Sequence, residues 1–159
     1  MYSFKLIQLI EARADHLSEG LMHRLKKSDR CSGLLQRVPS DELKRRSYEI
    51  YHDLSDWLLL KTESELEERY VVLGMKRATQ DVPYTDLLWA ISTTKEYLWA
   101  FMLAEGLFAE PIDLFGEIDL LCSMDRFFNR ILYFAAMGYE RAGQAEREHA
   151  VPRHASAHV

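Results

Sequence analysis

"TESELEERYVVLGMKRATQDVPYTDLLWAISTTKEYLWAFM", residues 62–102, decides the fold. Thr62 followed three residues on by Glu65 is a capping box, in which side chain and backbone satisfy each other's free groups at a helix start. Leu66, Tyr70, Leu73 and Arg77 then recur at three- and four-residue steps, the period of one helix face. Asp81-Val82-Pro83 stops this helix near residue 80, because proline pushes its predecessor out of the helical region. The next helix opens at Thr85, or with Pro83 in its first turn, and runs to about residue 108, with Gly106 near its end and Pro111 beyond. Leu88, Ile91, Thr94 or Lys95, Leu98, Met102 and Glu105 trace one of its faces. Trp89, Thr93, Glu96, Trp99 or Ala100 and Leu103 trace the neighbouring one. A helix apolar around most of its circumference is central in a bundle or covered on a second side by a partner.

The same periodicity extends outward. Residues 3–27 carry Leu6, Ile10, Ala14, Leu17, Leu21 and Leu25 on one line. Residues 28–39, with Gly33 and Pro39, read as a connecting loop. Ser40 is a good N-cap for a helix over 40–61, with Asp41 and Glu42 in its first turn and Leu43, Ser47, Ile50, Leu54, Trp57 and Leu58 on its buried face. A long last helix spans 112–143 through Leu114, Ile118, Leu121, Phe128, Leu132, Ala135 and Tyr139, and 144–159 lose all periodicity and read as a flexible tail. Strand signals are nearly absent. The expectation is an all-α, five-helix domain over 1–143, packed as an antiparallel bundle or in a globin-like manner.

The 159-residue chain is 48% hydrophobic and 28% charged, a globular balance, with a net charge of −5. Acidic and basic residues are interspersed, which argues against nucleic acid as a partner, since that needs a concentrated basic face. The start breaks its apolar run with Glu11, Arg13 and Asp15, and 131–138, the longest nearly apolar run, is far below spanning length. No membrane contact and a cytoplasmic location are expected, with Cys31 and Cys122 as reduced thiols.

Catalytic and metal signatures are weak. Glu49-Ile-Tyr-His52 has the Glu-x-x-His spacing of carboxylate-bridged metal sites, but its face is turned from the Ile50, Leu54, Trp57 line. Glu146-Arg-Glu-His149 falls in the aperiodic tail. His16, His23 and His52 flank their apolar lines instead of lying on them, and 62–143 contain no histidine to hold haem. Tail residues His149, His154 and His158 could gather a metal only weakly. Cys31, between Arg30 and Ser32, reads as an ordinary exposed thiol, and Cys122 as a small packing residue. No phosphate-binding glycine loop occurs. A non-enzymatic protein without metal or cofactor is therefore expected. The candidate pocket or interface residues are Trp57, Trp89, Tyr97, Trp99 and Phe128, since tryptophan and tyrosine combine large apolar area with a polar handle.

"LIEARADHLSEGLMHRL" (9–25), "DELKRRSYEIYHDLSDWLL" (41–59) and "LEERYVVLGMKRATQDVPYTDLLWAISTTKEYLWAFM" (66–102) together resemble the N-terminal domain of RsbT co-antagonist (RsbR/RsbRD-type) proteins, regulators of the bacterial stressosome. The likeness covers roughly residues 5–140 as a diffuse pattern. Its most telling part is Gly74 to Trp99: a Gly-x-x-Arg/Lys run, a Val-Pro helix start and a late tryptophan. The resemblance implies a globin-like, non-haem sensor domain that dimerises and passes a stress signal to an output domain, commonly a phosphorylatable STAS domain. This sequence ends after the fifth predicted helix without one, so the expected role is signalling by homodimerisation and by contact with STAS-domain or switch-kinase proteins. The alternative expectation is a small-molecule-binding protein with an apolar pocket between the second, fourth and fifth predicted helices.

Overall fold

The computed structural model describes residues 4–105 and 114–150. Its best-predicted element is α6, Glu63–Thr79, where the capping box forms in full: Thr62 Oγ1 accepts from the Glu65 amide and the Glu65 carboxylate accepts from the Thr62 amide. The helix ends as Asp81 enters the left-handed region (φ 56) and the Val82 amide returns to the Arg77 carbonyl. That is the six-to-one bond of a Schellman stop, with the apolar Val82 fully buried beside it. Pro83 then caps α7, Tyr84–Ala104.

The five predicted spans become eight α-helices among the described residues, with no strand. The first divides at Arg13 into α1, Phe4–Ala12, and α2, Ala14–Lys26. The expected loop at 28–39 contains a 3-10 turn, Asp29–Cys31, and α3, Ser32–Arg37. The second predicted helix divides at Asp53 into α4, Ser40–His52, and α5, Leu54–Leu59, and Pro39 takes the capping position expected of Ser40. The last, α8, runs Leu114–Ala150, past the predicted end at 143. At about 1.5 Å per residue it is about 55 Å long. Residues 106–113 and 151–159, including His154, His158 and the end of the fourth predicted span, lie outside the described residues.

These extra helix starts are stabilised from a distance. The Leu34 amide in the first turn of α3 donates to Asp86 Oδ2 of α7, and the Ser55 amide in the first turn of α5 donates to Glu11 Oε1 of α1. A carboxylate there satisfies an orphan amide and meets the positive end of the helix dipole.

Helices α6, α7 and α8 form the centre. Arg130 pairs with Glu63 near the start of α6, and the Tyr139 hydroxyl donates to the Val82 carbonyl just past its end, so α6 and α8 run in the same direction. Lys95 with Asp125, and Tyr84 against Tyr139, place α7 antiparallel to α8. The α6–α8 crossing is backbone on backbone: a Cβ at Gly74 would stand 2.0 Å from the Ala135 carbonyl oxygen, and one at Gly138 2.0 Å from that of Val71. Helices α2 and α4 pack antiparallel across this layer, joined at the rim by Lys44 and Glu19, and one continuous core runs through all of them. No helix among the described residues is long and apolar enough to cross a membrane.

Candidate functional site

At the centre of the bundle the helices do not close completely. They leave a partly open cavity of about 80 Å³ bounded by α2, α3, α4, α6, α7 and α8. Most of its wall is aliphatic or aromatic, exemplified by Leu21, Ile50, Ile91 and Phe128. Threonine and serine on the wall are internally satisfied: Thr94 Oγ1 donates to the Ala90 carbonyl, and Ser47 Oγ to that of Lys44. Above Thr94, the fully buried Tyr51 donates its hydroxyl to the Thr94 carbonyl at 3.2 Å. Burial raises the Tyr51 pKa far above the ordinary tyrosine value, so it stays a neutral donor.

Three polar side chains on this wall carry the chemistry. Arg77 is only 2% exposed. Its guanidinium donates to Glu42 Oε1 at 3.0 Å and to Gln80 Oε1 at 2.9 Å, while Lys76 reaches the same Glu42 oxygen at 2.6 Å. The Lys76 hydrogen bond, reinforced by Arg77, holds the Glu42 carboxyl down at about 2, so the pair is ionised at neutral pH. Arg46 differs: its Nε is buried without a hydrogen-bond partner, and it makes no ion pair among the described residues. The Tyr70 hydroxyl is likewise buried without a partner at bonding geometry, and desolvation pushes its pKa up to about 12. Arg69, engaged by Glu49, approaches that hydroxyl as a donor and lowers the shift in part, which leaves the Tyr70 proton itself without an acceptor at bonding geometry. The cavity wall thus carries two guanidiniums, one uncompensated, and no carboxylate.

The five aromatic residues expected at a site are dispersed. Only Phe128 lines the cavity. Trp57 is buried one layer away, its ring 6.0 Å from those of Tyr70 and Phe127 and covered by Arg69 at 5.1 Å. Trp89 lies 39% exposed under the Arg30 guanidinium. Tyr97 lays its hydroxyl over Gly20 of α2 in the place a Cβ would take, and Trp99 is half-buried with an unpartnered indole nitrogen. Periodicity missed Arg46 and Arg77, although Arg77 stands on the apolar line of its helix, and a charged residue on such a line is itself the signal.

The remaining candidates resolve simply. Glu49 is engaged by Arg69 and His52 sits exposed beside Asp53, so the Glu-x-x-His spacing brings no ligands together. Glu146 and His149 are exposed on α8, and among the described residues no three His, Cys, Asp or Glu side chains converge on a metal position. The two thiols exchange the roles expected of them. Cys31 is fully buried, because the 3-10 turn folds against α7, and burial with the nearby Asp86 charge raises its pKa to about 11. Cys122 points to solvent, since the buried line of α8 passes through Leu121 and Met124 instead. Comparison with known proteins gave no match to a family model, a curated protein or a solved structure.

Proposed function

We propose that this protein is a non-enzymatic, ligand-responsive sensor domain of the kind implied by its resemblance to RsbR-type N-terminal domains. The supporting observation is the central cavity, whose wall includes Phe128 and Ile131 of α8, the helix that continues beyond the packed layers. Its last buried residue is Ala142, and 144–150 are exposed throughout. Occupying the cavity would press on the element that, among the described residues, extends past the bundle, the arrangement a sensor needs to bias two conformations. The cavity touches predicted helices 2, 4 and 5, where the alternative expectation put a pocket, and the first and third as well, with Phe128 the one aromatic of the expected set on its wall. A screen of small apolar and amphipathic compounds by thermal shift tests this reading. Trp57 fluorescence reports occupancy through the adjacent Tyr70. Binding should change hydrogen exchange along residues 131–150. The reading fails if no compound raises Tm, or if binders leave α8 exchange unaltered.

The second part of the proposal is output by contact with a second copy or with STAS-domain or switch-kinase proteins. It is supported by large apolar side chains left in solvent on α8, Phe115 at 80% and Tyr133 at 62% exposure. Sedimentation at micromolar concentration should give a dimer that Tyr133→Glu weakens; a monomer there removes the homodimer.

A further inference from the structure

We propose that the central cavity is a binding site for a short aliphatic carboxylate, with its chain among Leu21, Ile91 and Phe128 and its head on Arg46 Nε and the Tyr70 hydroxyl. This rests on the sensor reading above and names the ligand class. Two buried donors on one wall lack an acceptor, which is costly unless something accepts from them. A neutral hydrocarbon would fill the volume and leave both donors unsatisfied. An amine would meet Arg46 and Arg77 with no carboxylate on the wall to receive it. A carboxylate supplies two oxygens, one for each donor, and the charge that Arg46 lacks.

The charge balance points the same way. Glu42 engages both Arg77 and Lys76 through Oε1 and forms no ion pair with Arg46, so two cations already share its one charge. Burial is the main cause that lowers the pKa of Arg77, and the nearby Arg46 charge adds a smaller repulsion that a bound anion would relieve. Volume sets the length: a cavity of roughly 150 Å³ holds a benzene ring, and one of about 80 Å³ has room for about three to five carbons. Multiply charged phosphate suits this wall poorly, because its remaining oxygens would face aliphatic side chains.

The test is calorimetric titration of the folded protein at neutral pH with butyrate, 1-butanol, butylamine and inorganic phosphate, in the wild type and three variants. Butyrate should bind at least about tenfold more tightly than butanol, and butylamine and phosphate should not bind. Arg46→Gln and Tyr70→Phe should each weaken butyrate by about tenfold or more and weaken butanol, a neutral acceptor, much less. Ala90→Leu, which adds volume to the wall, should abolish binding of both. Equal affinity for butanol and butyrate overturns the carboxylate assignment and leaves the sensor reading standing, as does butyrate binding that survives both head-group variants. Phosphate binding as tightly as butyrate also overturns it, in favour of a simple anion site. If neither butyrate nor butanol binds while circular dichroism shows the fold intact, the carboxylate assignment falls, and the sensor reading stands or falls on the wider screen above.

Discussion

Arg77 shows how a single residue can specify the interior of this domain. A guanidinium at 2% exposure is stable only because Glu42 and Gln80 meet it. Glu42→Gln removes the charge and leaves Arg77 buried without a counter-ion, so urea unfolding at pH 7 should show a loss of about 3 kcal/mol. The pH dependence has a definite sign. The folded Glu42 carboxyl is depressed to about 2 from an ordinary value of about 4.3. Its contribution is therefore fully present above about pH 5 and is lost as pH falls towards 2. The gap between wild type and Glu42→Gln should accordingly shrink on acidification from pH 6 to pH 3. A gap that stays constant would show that the pair does not stabilise through charge. The thiols give a second check at this scale. Cys122 should react within minutes with a thiol reagent under native conditions, and buried Cys31 only after unfolding; reaction of both at once would contradict the packing of the 3-10 turn on α7.

At the scale of the element, what was legible depended on where a helix finds its caps. The start of α6 was readable because its capping partners, Thr62 and Glu65, lie within one turn of sequence. Thr62→Ala should remove about 1 kcal/mol in the same unfolding measurement. The starts of α3 and α5 were not readable, because their carboxylates come from Asp86 and Glu11, 52 and 44 residues away. Gly33 reads as a loop residue in the sequence for a related reason. It is needed for close approach, since a Cβ there would stand 2.7 Å from the Pro83 ring. The buried line of α8 was read correctly at Leu121, Phe128 and Ala135 but not at Leu114 and Ile118, which are exposed. The α6–α8 crossing gives the sharpest element-scale expectation. A methyl group at Gly74 or Gly138 meets a backbone carbonyl, which cannot rotate away as a side chain could. Gly74→Ala and Gly138→Ala should each destabilise by about 3 kcal/mol, the upper end of overpacking. A loss below about 1 kcal/mol for both would mean the two helices can separate without penalty.

For the whole molecule, the open question is whether the central cavity is a packing fault or a retained feature. Sequence periodicity could not reveal it, because it assigns each residue to a face and says nothing of whether six facing helices meet. A void is a property of the assembly, and so is the lack of an ion pair for Arg46 among the described residues. Its energetic weight can be bounded: about 80 Å³ at roughly 24 cal/mol per Å³ corresponds to about 2 kcal/mol of forgone stability. Ala90→Leu should recover part of this, about 1 kcal/mol, as a higher midpoint in urea without ligand, the remainder being lost to imperfect fit. The same variant should lose the exchange response of α8 to any compound that binds the wild type. Gain of stability with loss of response is the trade-off expected when a fold keeps an unfilled interior for function. Gain of stability with the response intact would place the ligand elsewhere, and a loss of stability would show that the space is already shared among neighbouring side chains.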